Sequence, residues 1–150
     1  MKQKIEQLLA SNAGFNTLAL RIPVGIIFMA HGAQKLFAWF GGYGLSGTGQ
    51  FFESIGLAPG VVMAFLAGSA EFFGGLFIIL GLLTRPSALV LAFTMLIAIV
   101  SVHLPNGLFM SNGGYEFGLA LLAASVSLML SGGGKVAVDN WLADRLSVQK

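Results

Sequence analysis

Four long apolar stretches occupy most of this sequence, over residues 15–40, 59–83, 86–104 and 115–130. A helix needs roughly 20 apolar residues to cross about 30 Å of hydrocarbon. Only 9% of the residues are charged, compared with about 25% in an average soluble domain. A soluble surface requires more polar groups than this chain has. We therefore interpret the chain as an integral membrane protein, with a length that suits one domain.

The stretches favour helices over strands, because each is continuous and none alternates between polar and apolar residues. Lipid also requires every backbone polar group to be bonded internally. We predict an all-α membrane protein that is a four-transmembrane-helix bundle. Pro59 and Pro86 lie where helices begin, and Pro105 would end the third span. Pro23 either kinks the first span or marks its start, and the short fourth span could begin earlier, near Asn112.

Positive charge predicts the orientation of the bundle. The flanking cations lie in the N-terminal segment, the turn between the second and third spans, and the C-terminal tail: Lys2, Lys4, Arg85, Lys135, Arg145 and Lys150. The other two loops, residues 41–58 and 105–114, contain neither Lys nor Arg. Four spans place both termini on one side, so we predict both termini to be cytoplasmic. We divide the chain into a cytoplasmic N-terminal segment (1–14), the four-helix domain (15–131) and a cytoplasmic tail (132–150).

The segments outside the spans give weaker signals. Residues 1–12 predict a short surface helix rather than a cleaved signal peptide, because the apolar run that follows is long and lacks a small-residue cleavage site. In the tail, Asp139 could cap a short interfacial helix, with Trp141 at the level of the lipid head groups. The glycine-rich segment 41–49 has no phosphate-binding pattern. It is either a lid over an outer site or a plain loop, and we favour the loop.

Glu71 is the most informative ionisable residue, because it lies near the middle of the second span. A charged side chain at that depth costs about 3 kcal/mol or more. The carboxyl group must therefore be protonated, paired with a cation or exposed to a wet cavity. A proton-carrying or ligand-holding carboxylate and a structural ion pair with Arg21 both fit the sequence.

Arg21, His31 and Lys35 lie on one face of the first predicted helix, at about 100° per residue. Gly25 and Gly32 share that face and would let another helix approach closely. A face with three cationic groups is expected to point into the bundle rather than into lipid. Arg21 or Lys35 could instead extend to the nearest interface, whereas His31 is expected to make an internal hydrogen bond.

The predicted topology brings His103, at the end of the third span, and Glu116, at the start of the fourth, to the outer side of the membrane. We predict an outer cluster of His31, Lys35, His103 and Glu116, with Glu71 below it. Two histidines and a glutamate could bind a metal, but their spacing is not diagnostic and we assign no metal site. Each histidine could instead have a structural role, with its hydrogen bonds satisfied inside the protein.

Composition excludes several classes of function. The chain has no cysteine, which excludes disulfides, thiolate metal sites and cysteine nucleophiles. Any redox role would need a bound cofactor or a partner. The net charge of +2 reflects the few cations that flank the spans. No basic stripe interleaved with aromatic residues, as nucleic acid would need, is present.

The ordered set of motifs resembles the DoxX family of small bacterial inner-membrane proteins. The matching segments are residues 21–25, His31-Gly-x-x-Lys35, Glu71-Phe-Phe-Gly-Gly75, Gly81-Leu-Leu-Thr-Arg85, His103 with the turn after it, and Gly132-x-Gly134 leading to Asp139. The resemblance covers about residues 15–139. It implies a multi-pass four-helix bundle in the bacterial inner (plasma) membrane. Some members are similar to the small subunit of a thiosulfate:quinone oxidoreductase and others are linked to oxidative-stress complexes, which implies a quinone or redox association.

The leading hypothesis is a redox-associated membrane protein, such as a subunit of a quinone-linked oxidoreductase, that binds a quinone or a similar small lipophile among its helices. Glu71 would take up or deliver a proton. We assign catalytic roles to Glu71 and His31, and ligand binding to Arg21, Lys35, His103 and Glu116. The alternatives are a non-catalytic structural or assembly subunit and, less favoured for lack of an internal repeat, a small proton-coupled transporter. The expected partners are the lipid bilayer, a membrane or peripheral redox protein, and a second copy of the chain.

Overall fold

The computed structural model describes residues 2–148, which are helical with no β-strand in that range. The all-α prediction is confirmed. The seven α-helices of this range are α1 (Lys2–Leu9), α2 (Asn16–Phe37), α3 (Gly44–Ser54), α4 (Gly60–Leu80), α5 (Thr84–Ala98), α6 (Glu116–Ser131) and α7 (Val138–Val148). The short helix predicted over residues 1–12 corresponds to α1, and Met1 lies outside the described residues.

Helices α2, α4, α5 and α6 form the central bundle. Each helix packs on the next in the order α2, α4, α5, α6, and α6 also contacts α2. Phe28, Ile78, Leu91 and Leu128 are buried where these helices meet. The small helices α1 and α7 pack against each other, and α3 packs on α4 and α2.

Two helices among residues 2–148 are long and apolar enough to cross a membrane. They are Gly60–Leu80 and Thr84–Asn106, which is α5 with its continuation. The apolar helix α6 is shorter, with 16 residues. The 22-residue helix α2 is less apolar because it contains Arg21, His31 and Lys35. Length and composition thus support two spans directly, and the four-span bundle with both termini in the cytoplasm stays a prediction.

Glycines allow α2 and α4 to pack with their backbones in contact. A Cβ atom on Gly25 would lie 2.7 Å from the carbonyl oxygen of Gly75. A Cβ atom on Gly32 would lie 2.7 Å from the carbonyl oxygen of Gly68. Only glycine fits at such close crossings, so the prediction that these residues serve helix packing is confirmed.

The segment that we expected to be a plain loop contains helix α3. This expectation was wrong because glycine lowers helix propensity by only about 1 kcal/mol per residue, and packing against α4 outweighs that cost. The glycines also make the packing close. A Cβ atom on Gly49 would lie 2.9 Å from the α-carbon of Val61.

Helix α5 does not end as a regular α-helix. It continues as a π-helical turn, Ile99–His103, and then as a 3-10 turn, Leu104–Asn106. A π-helical turn inserts one extra residue into a helix and is frequent at functional sites. This turn ends at His103, one of the predicted site residues.

Pro23 lies inside α2, so it does not mark the start of the first predicted span.

Asp139 caps the start of α5 rather than its own helix, so the predicted cap was assigned to the wrong helix. Its carboxylate oxygens accept hydrogen bonds from the backbone N–H groups of Leu83 and Thr84, both at 2.7 Å. The side chain is buried between the tail and the bundle. Because α7 begins one residue earlier, Asp139 projects from the first turn of α7 across to the free amides of α5.

Candidate functional site

A cavity of about 1350 Å³ lies among α2, α3, α4, α5 and α6. Its lining is mainly apolar, with Phe28, Met95 and Leu121 among its walls. It includes four of the six predicted site residues: His31, Lys35, Glu71 and His103. The predicted outer cluster is therefore brought together in large part, and Glu116 and Arg21 lie outside the lining.

The centre of the site is an ion pair between α2 and α4. The Nζ atom of Lys35 donates a hydrogen bond to Oε2 of Glu71 at 2.6 Å. The glutamate is 3% exposed, whereas the lysine side chain is 23% exposed. The carboxylate thus pairs with Lys35 and not with Arg21. An ammonium group has three N–H donors, so Lys35 can bind Glu71 and still donate to a ligand in the cavity.

His31 and Gln34 extend this polar row along α2, and both line the cavity. The Nε2 atom of Gln34 donates to the carbonyl oxygen of Phe40 at 3.2 Å. The His31 ring packs on Phe117, with ring centroids 6.3 Å apart. Gln34 was not predicted as a site residue. Its position three residues after His31 places it on the same helix face, which was the available signal.

His103 contributes from the π-helical turn that ends α5. Its Nδ1 lies 2.8 Å from the carbonyl oxygen of Gly113. A carbonyl oxygen can only accept, so Nδ1 carries the proton in this contact. In the tautomer with Nδ1 protonated, Nε2 is a hydrogen-bond acceptor. His103 can therefore accept a hydrogen bond from a ligand in the cavity.

Glu116 shapes the end of the cavity next to the loop between α5 and α6, without lining the cavity itself. Its Oε1 accepts a hydrogen bond from the backbone N–H of Met110 at 2.6 Å. Met110 and Gly113 belong to the loop between α5 and α6, and both line the cavity. Glu116 thus holds this loop in place, together with the contact between His103 and Gly113.

Arg21 lies at the other end of α2, about 21 Å from Lys35 along the helix axis at 1.5 Å per residue. It is 1% exposed. Its guanidinium donates to carbonyl oxygens of Ile78 and Ile79 at the end of α4, both at 2.8 Å, and of Gly133 and Val136 in the tail, both at 2.7 Å. These contacts use four of its five N–H donors, so Arg21 clamps the tail to the bundle.

The described residues 2–148 contain no group of three His, Asp or Glu side chains that could hold a metal ion. The chemistry that the cavity offers is instead hydrogen bonding and proton exchange in an apolar space. Lys35 supplies donors, Glu71 a carboxylate, and His103 a ring nitrogen.

Comparison with known proteins identifies one family and several relatives. The model of the DoxX family matches residues 16–104. A Bacillus subtilis protein named "Putative oxidoreductase CatD" is 40% identical over 123 residues, which are 82% of this chain and 84% of that protein. An "Uncharacterized membrane protein" of Mycobacterium tuberculosis is 31% identical over 149 residues, which are 93% of this chain and 88% of the relative. An "Uncharacterized protein" of Haemophilus influenzae is 34% identical over 125 residues, or 81% and 86% of the two chains. No solved structure matches.

Proposed function

This chain belongs to the DoxX family, and from that premise we propose a redox-associated membrane protein that binds a quinone or a similar small lipophile in its cavity. The oxidoreductase name of the Bacillus subtilis relative supports the redox association. The name of the Mycobacterium tuberculosis relative supports the membrane location. In this proposal α2, α4, α5 and α6 cross the bacterial inner membrane, and both termini are cytoplasmic.

One observation carries the proposal, namely a buried Lys35–Glu71 pair in the wall of an apolar cavity. Ligand pockets combine an apolar lining with a few polar groups that orient the ligand. Ionisable side chains at membrane depth are costly and typically mark a functional path. A quinone suits both properties, since its ring and chain are apolar while its two oxygens accept hydrogen bonds.

Each polar group of the cavity has a role in this proposal. Lys35 donates a hydrogen bond to one head-group oxygen and stabilises negative charge that develops there on reduction. Glu71, the carboxylate partner of Lys35, takes up a proton from the head group when a quinol is oxidised and delivers one when a quinone is reduced. His103, held by the Gly113 carbonyl, and His31, packed on Phe117, bind the second oxygen or relay its proton. The electrons come from a membrane or peripheral redox partner, because the chain has no cysteine thiol to carry them.

A second candidate is a structural or assembly subunit whose partner performs all the chemistry. The observation that favours it is that Lys35–Glu71 joins α2 to α4 and that Arg21 fastens the tail to α4. In that role the ion pair would fix the helix register and bind no ligand. Its loss would then lower stability without changing any bound lipophile.

Mass spectrometry of an organic extract of the purified protein separates the two candidates. The native chain, Glu71→Gln and the control Glu53→Gln are purified in the same mild detergent. The control changes a carboxylate that lies outside the cavity lining. The quinone-binding proposal predicts near-stoichiometric quinone in the native chain and the control, and a several-fold loss in Glu71→Gln. Absence of quinone from all three folded proteins would contradict it and favour the subunit role.

A further inference from the structure

The two longest walls of the cavity are stripes on α4 and α5. The lining residues on α4 include Met63, Leu66, Ala67, Ala70 and Glu71. Those on α5 include Val90, Phe93, Thr94, Ile97 and Ser101. Spacings of three and four residues place each set on one face of its helix. The cavity therefore follows the seam between α4 and α5 over several turns.

Helices α4 and α5 touch along part of this seam. A Cβ atom on Gly74 would lie 3.1 Å from the Leu91 side chain, and Leu91 is 1% exposed. The lining side chains Leu66 and Phe93 are instead 55% and 63% exposed. They lie at the surface of the bundle beside this contact, which leaves a cleft between the two helices.

Two other sides of the cavity are bounded by packed elements. Between α2 and α6, Phe28 and Leu121 are buried and the His31 ring packs on Phe117. At the outer end, α3 packs on α4, and the loop before α6 is held by the hydrogen bond between Met110 and Glu116. Exposed lining side chains occur at this end as well, at Tyr43, Phe51 and Met110. Leu66 and Phe93 lie within the two helices that are long and apolar enough to cross a membrane, so the rim that faces lipid chains is the one between α4 and α5.

We infer that the cleft between α4 and α5 is a lateral mouth through which the ligand enters from the bilayer. The inference rests on the proposed function and defines its ligand class as an amphipathic lipophile with a flexible chain. The polar head lies at Lys35 and Glu71, and the chain lies along Leu66 and Phe93 into the lipid. Exposed apolar side chains at membrane depth are solvated by lipid chains, so a ligand chain can replace lipid there without exposing apolar surface to water.

The absence of cysteine from the sequence makes a site-specific block of this mouth straightforward. Phe93→Cys is alkylated with pyrene maleimide, which places a bulky apolar group in the cleft. Leu130→Cys, alkylated in the same way, is the control, because Leu130 is 67% exposed but lies on α6, outside the lining. Two fully substituted benzoquinones are then titrated into each protein in nanodiscs, one with a decyl chain and one with methyl groups only.

The lateral mouth predicts that alkylated Phe93→Cys loses about tenfold or more in affinity for the decyl quinone, equivalent to about 1.4 kcal/mol. The affinity of alkylated Phe93→Cys for the methyl quinone and the affinities of the Leu130→Cys control for both quinones stay unchanged. Equal affinity of both alkylated proteins for the decyl quinone would contradict the lateral mouth, but it would be consistent with the quinone site. Equal loss of both quinones at Phe93→Cys would overturn the placement of the chain. If neither quinone binds the unmodified protein, the proposed function fails and this inference fails with it.

Discussion

Gly32 of α2 lies against the backbone of Phe72 in α4, so that a Cβ atom on Gly32 would lie 2.7 Å from the Phe72 α-carbon. Lys35 follows Gly32 by about one helical turn, and Glu71 directly precedes Phe72. The close crossing therefore brings the ammonium group and the carboxylate within hydrogen-bond distance. The candidate site depends on this contact between two backbones as much as on its charged residues.

Replacing Gly32 by alanine is expected to force α2 away from α4. Overpacking of this kind costs about 1–3 kcal/mol, and the displacement should also separate Lys35 from Glu71. The measurement is thermal or denaturant unfolding in detergent. Gly118→Ala is the control, because its Cβ atom would meet only the Ile99 side chain, at 3.0 Å. Equal stability of Gly32→Ala and the native chain would show that the helices are less tightly fixed than the structure indicates.

Arg21→Met tests whether Arg21 is a clamp. The substitution removes donors from carbonyl oxygens in α4 and in the tail, and each buried acceptor left unsatisfied costs about 1–3 kcal/mol. We expect a large loss of unfolding free energy and cleavage of the tail by low concentrations of protease. Arg145→Met, which removes an exposed cation stacked on Trp141, should cost less than about 1 kcal/mol. A protease-resistant tail in Arg21→Met would refute the clamp.

Asp139→Ala is expected to destabilise α5 rather than α7. It removes the acceptor of the Leu83 and Thr84 amides, and loss of a helix cap costs about 0.5–2 kcal/mol. Hydrogen exchange should therefore rise in the first turn of α5. The matched control is Asp144→Ala, an exposed aspartate in the same helix, with no expected effect there. Faster exchange confined to α7 would show that Asp139 caps α7 and not α5.

The four-span topology predicts opposite sides for two exposed serines. Ser111 lies in the loop before α6 and Ser147 lies in α7. In cells whose inner membrane is accessible from outside, a membrane-impermeant maleimide should label Ser111→Cys. Ser147→Cys should react only after the membrane is permeabilised. Labelling of both residues in intact membranes, or of Ser147→Cys alone, would contradict the predicted orientation.

Hydrophobicity and glycine spacing predicted much of the fold. The apolar stretches correspond to α2, α4, α5 and α6, because burial of apolar surface dominates the signal along the chain. Helix α3 was not predicted, because its glycines favour a loop and the sequence does not show that the segment packs on α4. Long-range packing, rather than local propensity, makes this segment helical.

The sequence predicted most of the polar residues that line the cavity, but not which cation pairs with Glu71. Sequence spacing placed His31 and Lys35 on one face of α2, and both line the cavity. The choice between Lys35 and Arg21 as partner of Glu71 depends on how the two helices cross, which periodicity alone does not fix. The same holds for the carboxylate of Asp139, whose partners are amides more than fifty residues away in the chain.

The most direct test of the account measures quinone affinity after the central ion pair is removed as a unit. Lys35→Met combined with Glu71→Met leaves no buried charge unpaired, and apolar replacements of buried ion pairs are often neutral in stability. The control combines Lys135→Met with Glu53→Met, which makes the same two substitutions away from the cavity lining. We predict that the first double variant unfolds within about 1 kcal/mol of the native chain. Its affinity for a decyl benzoquinone should fall about tenfold or more, because hydrogen bonds to charged groups contribute about 1.5–3 kcal/mol, while the control keeps native affinity. A folded first variant that binds the quinone as tightly as the native chain would contradict the claim that Lys35 and Glu71 form the ligand site.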